Sequence, residues 1–200
     1  MMKLIYTTTS PYARKIRMII LEKDLSERVE LQAIDLVADR ALLNSVNPLG
    51  KVPVLITAQG DVIYDSPVIC EYIDSLTAIS PVFPAMGAAR WEALTDQALA
   101  DGLLDAAVQI MVLRREMGDA APEKLVLALD DKIHAALNQM DSRVPAFREA
   151  FDIGQMSYIA AIEYLMLRFP KLYWRTGRPS LSLWYDENAD RPSAFATRPA

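Results

Sequence analysis

Asn47-Pro48-Leu49-Gly50-Lys51-Val52-Pro53-Val54-Leu55-Ile56 is the stretch on which the fold turns. It opens with a proline–glycine turn and passes into an apolar, β-prone run. Gln59-Gly60-Asp61 then makes a second turn, and Val62-Ile63-Tyr64 follows as another short β-prone run. Two such runs around a glycine turn predict a hairpin. From Ser66 to Leu76 the pattern changes to helical spacing, with Ile69, Tyr72, Ile73 and Leu76 on one stripe.

Working outward toward the N-terminus, Arg40 to Val46 predicts a short helix that ends before Asn47-Pro48. Val29 to Ile34 alternates well enough for a strand. Leu4-Ile5-Tyr6 is an earlier β-prone run. Thr7-Thr8-Thr9 leads from it into Ser10-Pro11, where serine suits a helix N-cap and proline the first helical position. Ile16, Ile19, Ile20 and Lys23 continue at helical spacing, with Arg14, Lys15 and Arg17 expected on a solvated face. The order is β-α-β-α-β-β-α, which implies one sheet covered by helices.

Toward the C-terminus, residues 80–87 hold two prolines and a glycine without a clear period, and read as a linker. Beyond them strand signals vanish. Helices are expected over 88–117, 122–141, 152–168 and 179–188. The domain reading is therefore 1–79, α/β, and 88–200, all-α. Within the second part Asp96, Asp101 and Asp105 share one helix and are expected to be solvated, the alternative being that one of them, such as Asp101, reaches a cleft or crosses an interface between copies. His134 is expected on a helix surface. Asp152-Ile153-Gly154-Gln155 fits an N-capping box, with Phe151 and Met156 placed as a hydrophobic staple.

Composition narrows the function classes. The chain has 200 residues, 52% of them hydrophobic, which is enough for a sizeable core. Its net charge of -5 argues against a dominant basic surface, and so against nucleic acid and anionic membranes as partners. No run approaches the roughly 20 apolar residues of a membrane span, and Met1 to Tyr6 does not read as a signal peptide. A cytoplasmic location is the default expectation. One cysteine, Cys70, rules out an internal disulfide, and with a single histidine a His/Cys zinc site is not expected. Cys70 itself sits among Val68, Ile69 and Ile73 and reads as core.

Ser10-Pro11-Tyr12, the stretch from Asn47 to Leu55, and Tyr64-Asp65-Ser66-Pro67 through Ile73 together resemble the glutathione transferase family, especially its bacterial members. Leu181 to Pro192, with Trp184-Tyr185 and Arg191-Pro192, looks like the family's C-terminal tail. The resemblance implies a thioredoxin-like N-terminal domain, an all-α C-terminal domain and a homodimer. It also implies glutathione as co-substrate and a reaction with an electrophilic, hydrophobic small molecule, as in detoxification. A non-enzymatic protein of the same fold, binding a ligand or partner, is the alternative.

The resemblance assigns roles residue by residue. Ser10 stands where thioredoxin-like redox proteins carry the first cysteine of a Cys-Pro-Tyr-Cys motif, and Ala13 replaces the second, so dithiol chemistry there is excluded. Ser10 becomes the catalytic candidate, donating a hydrogen bond to the glutathione thiolate at a helix N-terminus. Tyr6, Thr8 and Thr9 are rivals for that bond, and a plain helix cap is the structural alternative. Val52-Pro53 is expected to be a cis peptide that leaves the Val52 backbone to pair with the cysteinyl part of glutathione. Asp65 and Ser66 are expected to meet the γ-glutamyl end at a helix N-terminus, with Asp65 shorter than the family's usual glutamate or glutamine. Lys51 is a candidate for the glycyl carboxylate or the thiolate region; a solvated loop lysine is the alternative.

Overall fold

A computed structural model describes residues 1–199. They form two compact units: Met1–Ala85 with the described residues from Pro192 onward, and Met86–Arg191.

The first unit is built on β1 (Met2–Tyr6). This strand pairs in parallel with β2 (Val29–Ala33) and antiparallel with β3 (Val54–Ile56), which pairs antiparallel with β4 (Val62–Ile63). The sheet order is β2-β1-β3-β4. Three helices complete the unit: α1 (Pro11–Glu22), α2 (Arg40–Val46) and α3 (Ser66–Ser75). The expected β-α-β-α-β-β-α order is the observed one.

Alternation along β1 sends its side chains to both faces of the sheet. On one face Ile5 packs with Ile34, Val54 and Leu43 of α2. On the other α1 and α3 pack together, and the Arg17 guanidinium lies 5.2 Å from the centre of the Tyr6 ring. Leu4, Ile16, Ile19, Ile69 and Ile73 are buried, each side chain contributing about 1.5–3 kcal/mol by leaving water. Cys70 is buried with them, as expected.

The helical readings survive with small boundary shifts. The second unit holds α4 (Gly87–Met117), α5 (Glu123–Arg143), α6 (Ile153–Arg168) and α7 (Pro179–Asn188). A fifth C-terminal helix, α8 (Pro192–Ala196), is absent from the sequence reading. Five residues are too few to display a helical period. Although helical, the stretch from Pro192 onward belongs to the first unit.

α6 is the centre of the second unit, buried from Ile153 through Leu165. A helix that is covered all round must begin cleanly, because its first N–H groups have no intrahelical partner. Asp152 supplies the cap: its Oδ1 accepts from the Gln155 N–H at 3.1 Å. The Gln155 side chain donates to the carbonyls of Arg148 and Ala150, at 3.1 and 2.7 Å. It thereby ties down the loop that enters the helix.

Beside this start lies a buried polar group. Asp96 of α4 accepts from both Nε and Nη2 of Arg143 and, at 2.6 Å, from the Tyr158 hydroxyl. Expected to be solvated, Asp96 is instead 5% exposed. Its two donors explain why a carboxylate tolerates that position. Burial and the Asp96 carboxylate push the Tyr158 phenol up, and Asp96 likewise holds the Arg143 guanidinium above its ordinary value. Asp101 is half-buried and Asp105 exposed.

His134 lies on the surface of α5 as expected, its side chain 43% exposed, and it has partners there. Its Nδ1 lies 3.1 Å from Nη2 of Arg178, and its Nε2 3.7 Å from Asp130. Arg178 is buried, with donors also on Asn138 and the Trp174 carbonyl. The ring belongs to the seat of α7.

Candidate glutathione site

The sheet register gathers the sequence's candidate residues at one end of the first unit. Lys3, Leu4 and Ile5 face Ile56, Leu55 and Val54 across β1 and β3. One further step in that direction runs from Tyr6 toward Pro53. Leu55 and Ile56 face Ile63 and Val62, and the same continuation runs from Pro53 toward Asp65. The exits of β1 and β4 therefore flank the entrance of β3. The Thr7–Ser10 turn, Lys51-Val52-Pro53 and Asp65-Ser66 are the three segments placed there.

Each segment has a local cause. Thr7 and Ser10 close a turn after β1, with Ser10 N–H donating to the Thr7 carbonyl at 3.1 Å. Ser10 is the N-cap of α1 and Pro11 its first residue. The Ser10 hydroxyl oxygen accepts from the Ala13 N–H at 3.2 Å. The capping alternative is thus realised, yet it uses an acceptor lone pair and not the O–H. Ser10 is half-buried, and no acidic residue stands in the first turn of α1 to oppose an anion. Among the rivals Thr8 is exposed and Thr9 half-buried, while Tyr6 is buried beneath Arg17.

The middle segment is held by a residue the sequence reading passed over. Asn47 is 2% exposed. Its Nδ2 donates to the Lys51 carbonyl at 2.8 Å and its Oδ1 accepts from the Leu49 N–H at 3.0 Å. Gly50 completes the turn with φ of 60°, a left-handed conformation suited to glycine. Its N–H reaches the Asn47 carbonyl at 2.9 Å. The signal was present: an asparagine opening a Pro-Leu-Gly turn is a common Asx-turn former. Lys51 is exposed and Val52 half-buried. The Val52–Pro53 bond is cis, as expected. β3 starts only at Val54, since proline has no N–H for the ladder.

At the third segment Asp65 occupies the N-cap position of α3, but its side chain makes no capping bond. The carboxylate is exposed and Ser66 beside it is buried. Pro67 takes the first turn, so the helix opens with backbone N–H groups of Ser66 and its neighbours. That arrangement suits an anion, with a carboxylate alongside for a cation.

The basic stripe of α1 departs from its expected solvation. Arg14 and Lys15 are buried and Arg17 is half-buried. Arg14 is accommodated by oxygen acceptors, donating to the Ala194 carbonyl at 3.0 Å and to the Thr197 hydroxyl at 3.4 Å. Among the described residues, no cluster of His, Cys, Asp or Glu is placed to hold a metal ion. None of the described helices is long and apolar enough to cross a membrane.

A thioredoxin-like sheet carrying these three segments, followed by a helical unit, defines a class. Residues 9–76 match the glutathione S-transferase N-terminal domain family. An uncharacterised GST-like protein of Escherichia coli K12, YibF, is 30% identical over 99% of this chain and 98% of its own length. A glutathione transferase family member from Pseudomonas fluorescens Pf-5 was crystallised with bound glutathione, and also with S-(propanoic acid)-glutathione. It is 39% identical in the first of these, with a TM-score of 0.92 over the whole of both chains. A glutathione S-transferase from Methylobacillus flagellatus KT, with glutathione bound, is 33% identical with a TM-score of 0.94, again over both whole chains. The chain belongs to the glutathione S-transferase family.

Proposed function

We propose that the protein binds glutathione in its first unit and transfers the thiolate to an electrophilic, hydrophobic small molecule. The observation that carries this reading is the convergence of Ser10, Val52 and Asp65-Ser66 at one sheet end, in a chain whose relatives hold glutathione. Residues 1–79 are the glutathione-binding domain and the helical domain begins at 88, with the tail from Pro192 belonging to the first unit. The Val52 backbone pairs with the cysteinyl residue in strand fashion. The N–H groups at the start of α3 and the Ser66 hydroxyl take the γ-glutamyl carboxylate, and Asp65 faces the γ-glutamyl amine. Lys51 is the cation for the glycyl end. The protein works in the cytoplasm as a homodimer, without a metal.

Ser10 is the catalytic residue of this reading. Its hydroxyl donates to the sulfur while still capping α1, and the helix dipole adds to the stabilisation. An unperturbed thiol has a pKa of about 8.5, and each unit of depression is worth about 1.4 kcal/mol in favour of the thiolate. The thiolate sulfur then forms the new carbon–sulfur bond, and the electron pair leaves with the departing group or is protonated after addition.

The test is ultraviolet titration of bound glutathione. Ser10→Ala raises the thiol pKa while the protein is still retained on immobilised glutathione; an unchanged titration removes Ser10 from the role. Ser66→Ala weakens retention. Retention by the wild-type chain with no turnover of any electrophile in a broad panel would favour a binding protein over an enzyme.

A further inference from the structure

The tail helix α8 is tied to both ends of α1. At the C-terminal end, the Ser193 hydroxyl donates to Oε1 of Glu22 at 2.5 Å. One turn from the N-terminal end, Arg14 donates to the Ala194 carbonyl and the Thr197 hydroxyl. Thr197 in turn donates back to the Ser193 carbonyl at 2.8 Å, which closes the tail upon itself. Arg14 and Glu22 are eight residues apart, about 12 Å at 1.5 Å per residue. The long Arg14 and Glu22 side chains therefore both reach the short tail helix, Ser193 on the Glu22 side and Thr197 on the Arg14 side. Ser193, Ala194 and Thr197 are buried while Phe195 is 61% exposed, so one face of the tail is committed to this contact.

Arg14 is an expensive residue to place here. A cation near a helix N-terminus sits at the end of the dipole that favours anions, and burying it removes its hydration. An apolar side chain would fill the same space without either cost. What arginine adds is a rigid fork with directional donors. Its own N–H, moreover, donates to the Ser10 carbonyl at 3.1 Å. The Arg14 backbone is thus bonded to the Ser10 backbone, and its side chain to the tail.

We propose that α8 is a positioning strap for the thiol site, with Arg14 as the positioning residue that sets where the Ser10 hydroxyl stands. The inference rests on the reading of Ser10 as thiolate donor. Misplacement of a reacting group by about 1 Å is enough to cost up to about a hundredfold in rate, so a fixed axial position of α1 has value for that hydrogen bond.

The experiment uses the full chain saturated with glutathione, and reads the thiolate-to-thiol ratio from ultraviolet absorbance at neutral pH together with glutathione affinity by calorimetry. Arg14→Gln and Thr197→Val each lower the ratio about three- to tenfold, a pKa rise of roughly half to one unit, while affinity changes by less than about threefold because most contacts lie elsewhere. Arg14→Lys, which keeps charge but not the fork, falls with Arg14→Gln. A wild-type ratio in folded Arg14→Gln overturns the proposal, as does a wild-type ratio in Arg14→Lys, which would assign the effect to charge. Should Arg14→Gln fail to fold, Thr197→Val decides by the same criterion. Ser10→Ala, measured alongside with the strap intact, separates the two claims. An unchanged ratio there overturns the reading of Ser10 and the strap together; a shift there with none in the strap variants overturns the strap alone.

Discussion

At the residue scale, Gly154 shows how one small side chain sets a helix crossing. A Cβ at this position would meet the Asp96 Cβ at 2.6 Å and the Ala93 carbonyl at 3.0 Å. Both neighbours belong to the well-packed α4, so neither yields cheaply. Gly154→Ala is expected to cost about 1–3 kcal/mol as an overpacking change, read as a lower denaturation midpoint with an unchanged slope. Asp152 makes the complementary case for charge. Burial, with Asp96 nearby, holds its carboxyl above the ordinary range despite the backbone bonds that favour ionisation. A carboxyl raised on folding contributes stability at pH below its unfolded value and loses it as pH rises through the folded value. Asp152→Asn keeps a good cap without the charge. Its melting temperature should equal or exceed the wild type at pH 7, and the margin should shrink toward pH 3. A margin that widens on acidification would contradict this. Tyr158→Phe should lose about 1.5–3 kcal/mol, the range for a hydrogen bond to a charged group.

At the scale of elements, the loop between α2 and β3 is organised by Asn47 before any ligand arrives. Asn47→Ala removes the bonds to Leu49 and Lys51, and strands the Lys51 carbonyl. The expected outcome is weaker retention on immobilised glutathione, with a stability loss of about 0.5–1.5 kcal/mol for each hydrogen bond removed. Retention equal to wild type would show that Val52 holds its place without the asparagine. The boundary of β3 belongs to the same scale. The sequence pattern extends the apolar run back to Val52, but the strand cannot, because Pro53 has no N–H to offer. Periodicity reads side chains and is blind to which backbone groups are available. Asn47 is a related case: its place before Pro-Leu-Gly marks the turn, but its burial and the bond its amide makes to the Lys51 carbonyl depend on the folded loop.

At the scale of the whole molecule, the end of the first unit is fastened by a buried ion pair. Lys23 follows α1 and is 1% exposed. Its Nζ donates to Oδ1 of Asp74 at 2.7 Å and to the Ile79 carbonyl at 2.8 Å, and the same Oδ1 accepts from the Val82 N–H at 3.0 Å. The segment before Met86 is therefore held against α1 and α3. Removing one partner of such a pair costs about 3–5 kcal/mol, whereas an apolar replacement of similar volume is often tolerated. Asp74→Ala should accordingly destabilise more than Lys23→Met, by chemical denaturation. The reverse order would mean that the carbonyl bonds, and not the ion pair, hold the segment.

The order of strands and helices, the change from α/β to all-α, the hairpin and the two N-caps at Ser10 and Asp152 were all legible in the chain itself. They depend on local periods, turn chemistry and capping, which neighbouring residues determine among themselves. The motif residues at Ser10, Val52-Pro53 and Asp65-Ser66 were legible too; their convergence was implied only by the family resemblance, and its physical cause is the β1–β3 and β3–β4 registers. Burial of Arg14, Lys15 and Asp96 ran against their residue types. A charge enters the interior only where distant segments supply acceptors or donors: Ala194 and Thr197 for Arg14, Arg143 and Tyr158 for Asp96. Those partners lie 47 to 183 residues away, beyond the reach of any local pattern. Which charges go inside, and what the last helix holds, were decided by the tertiary structure alone.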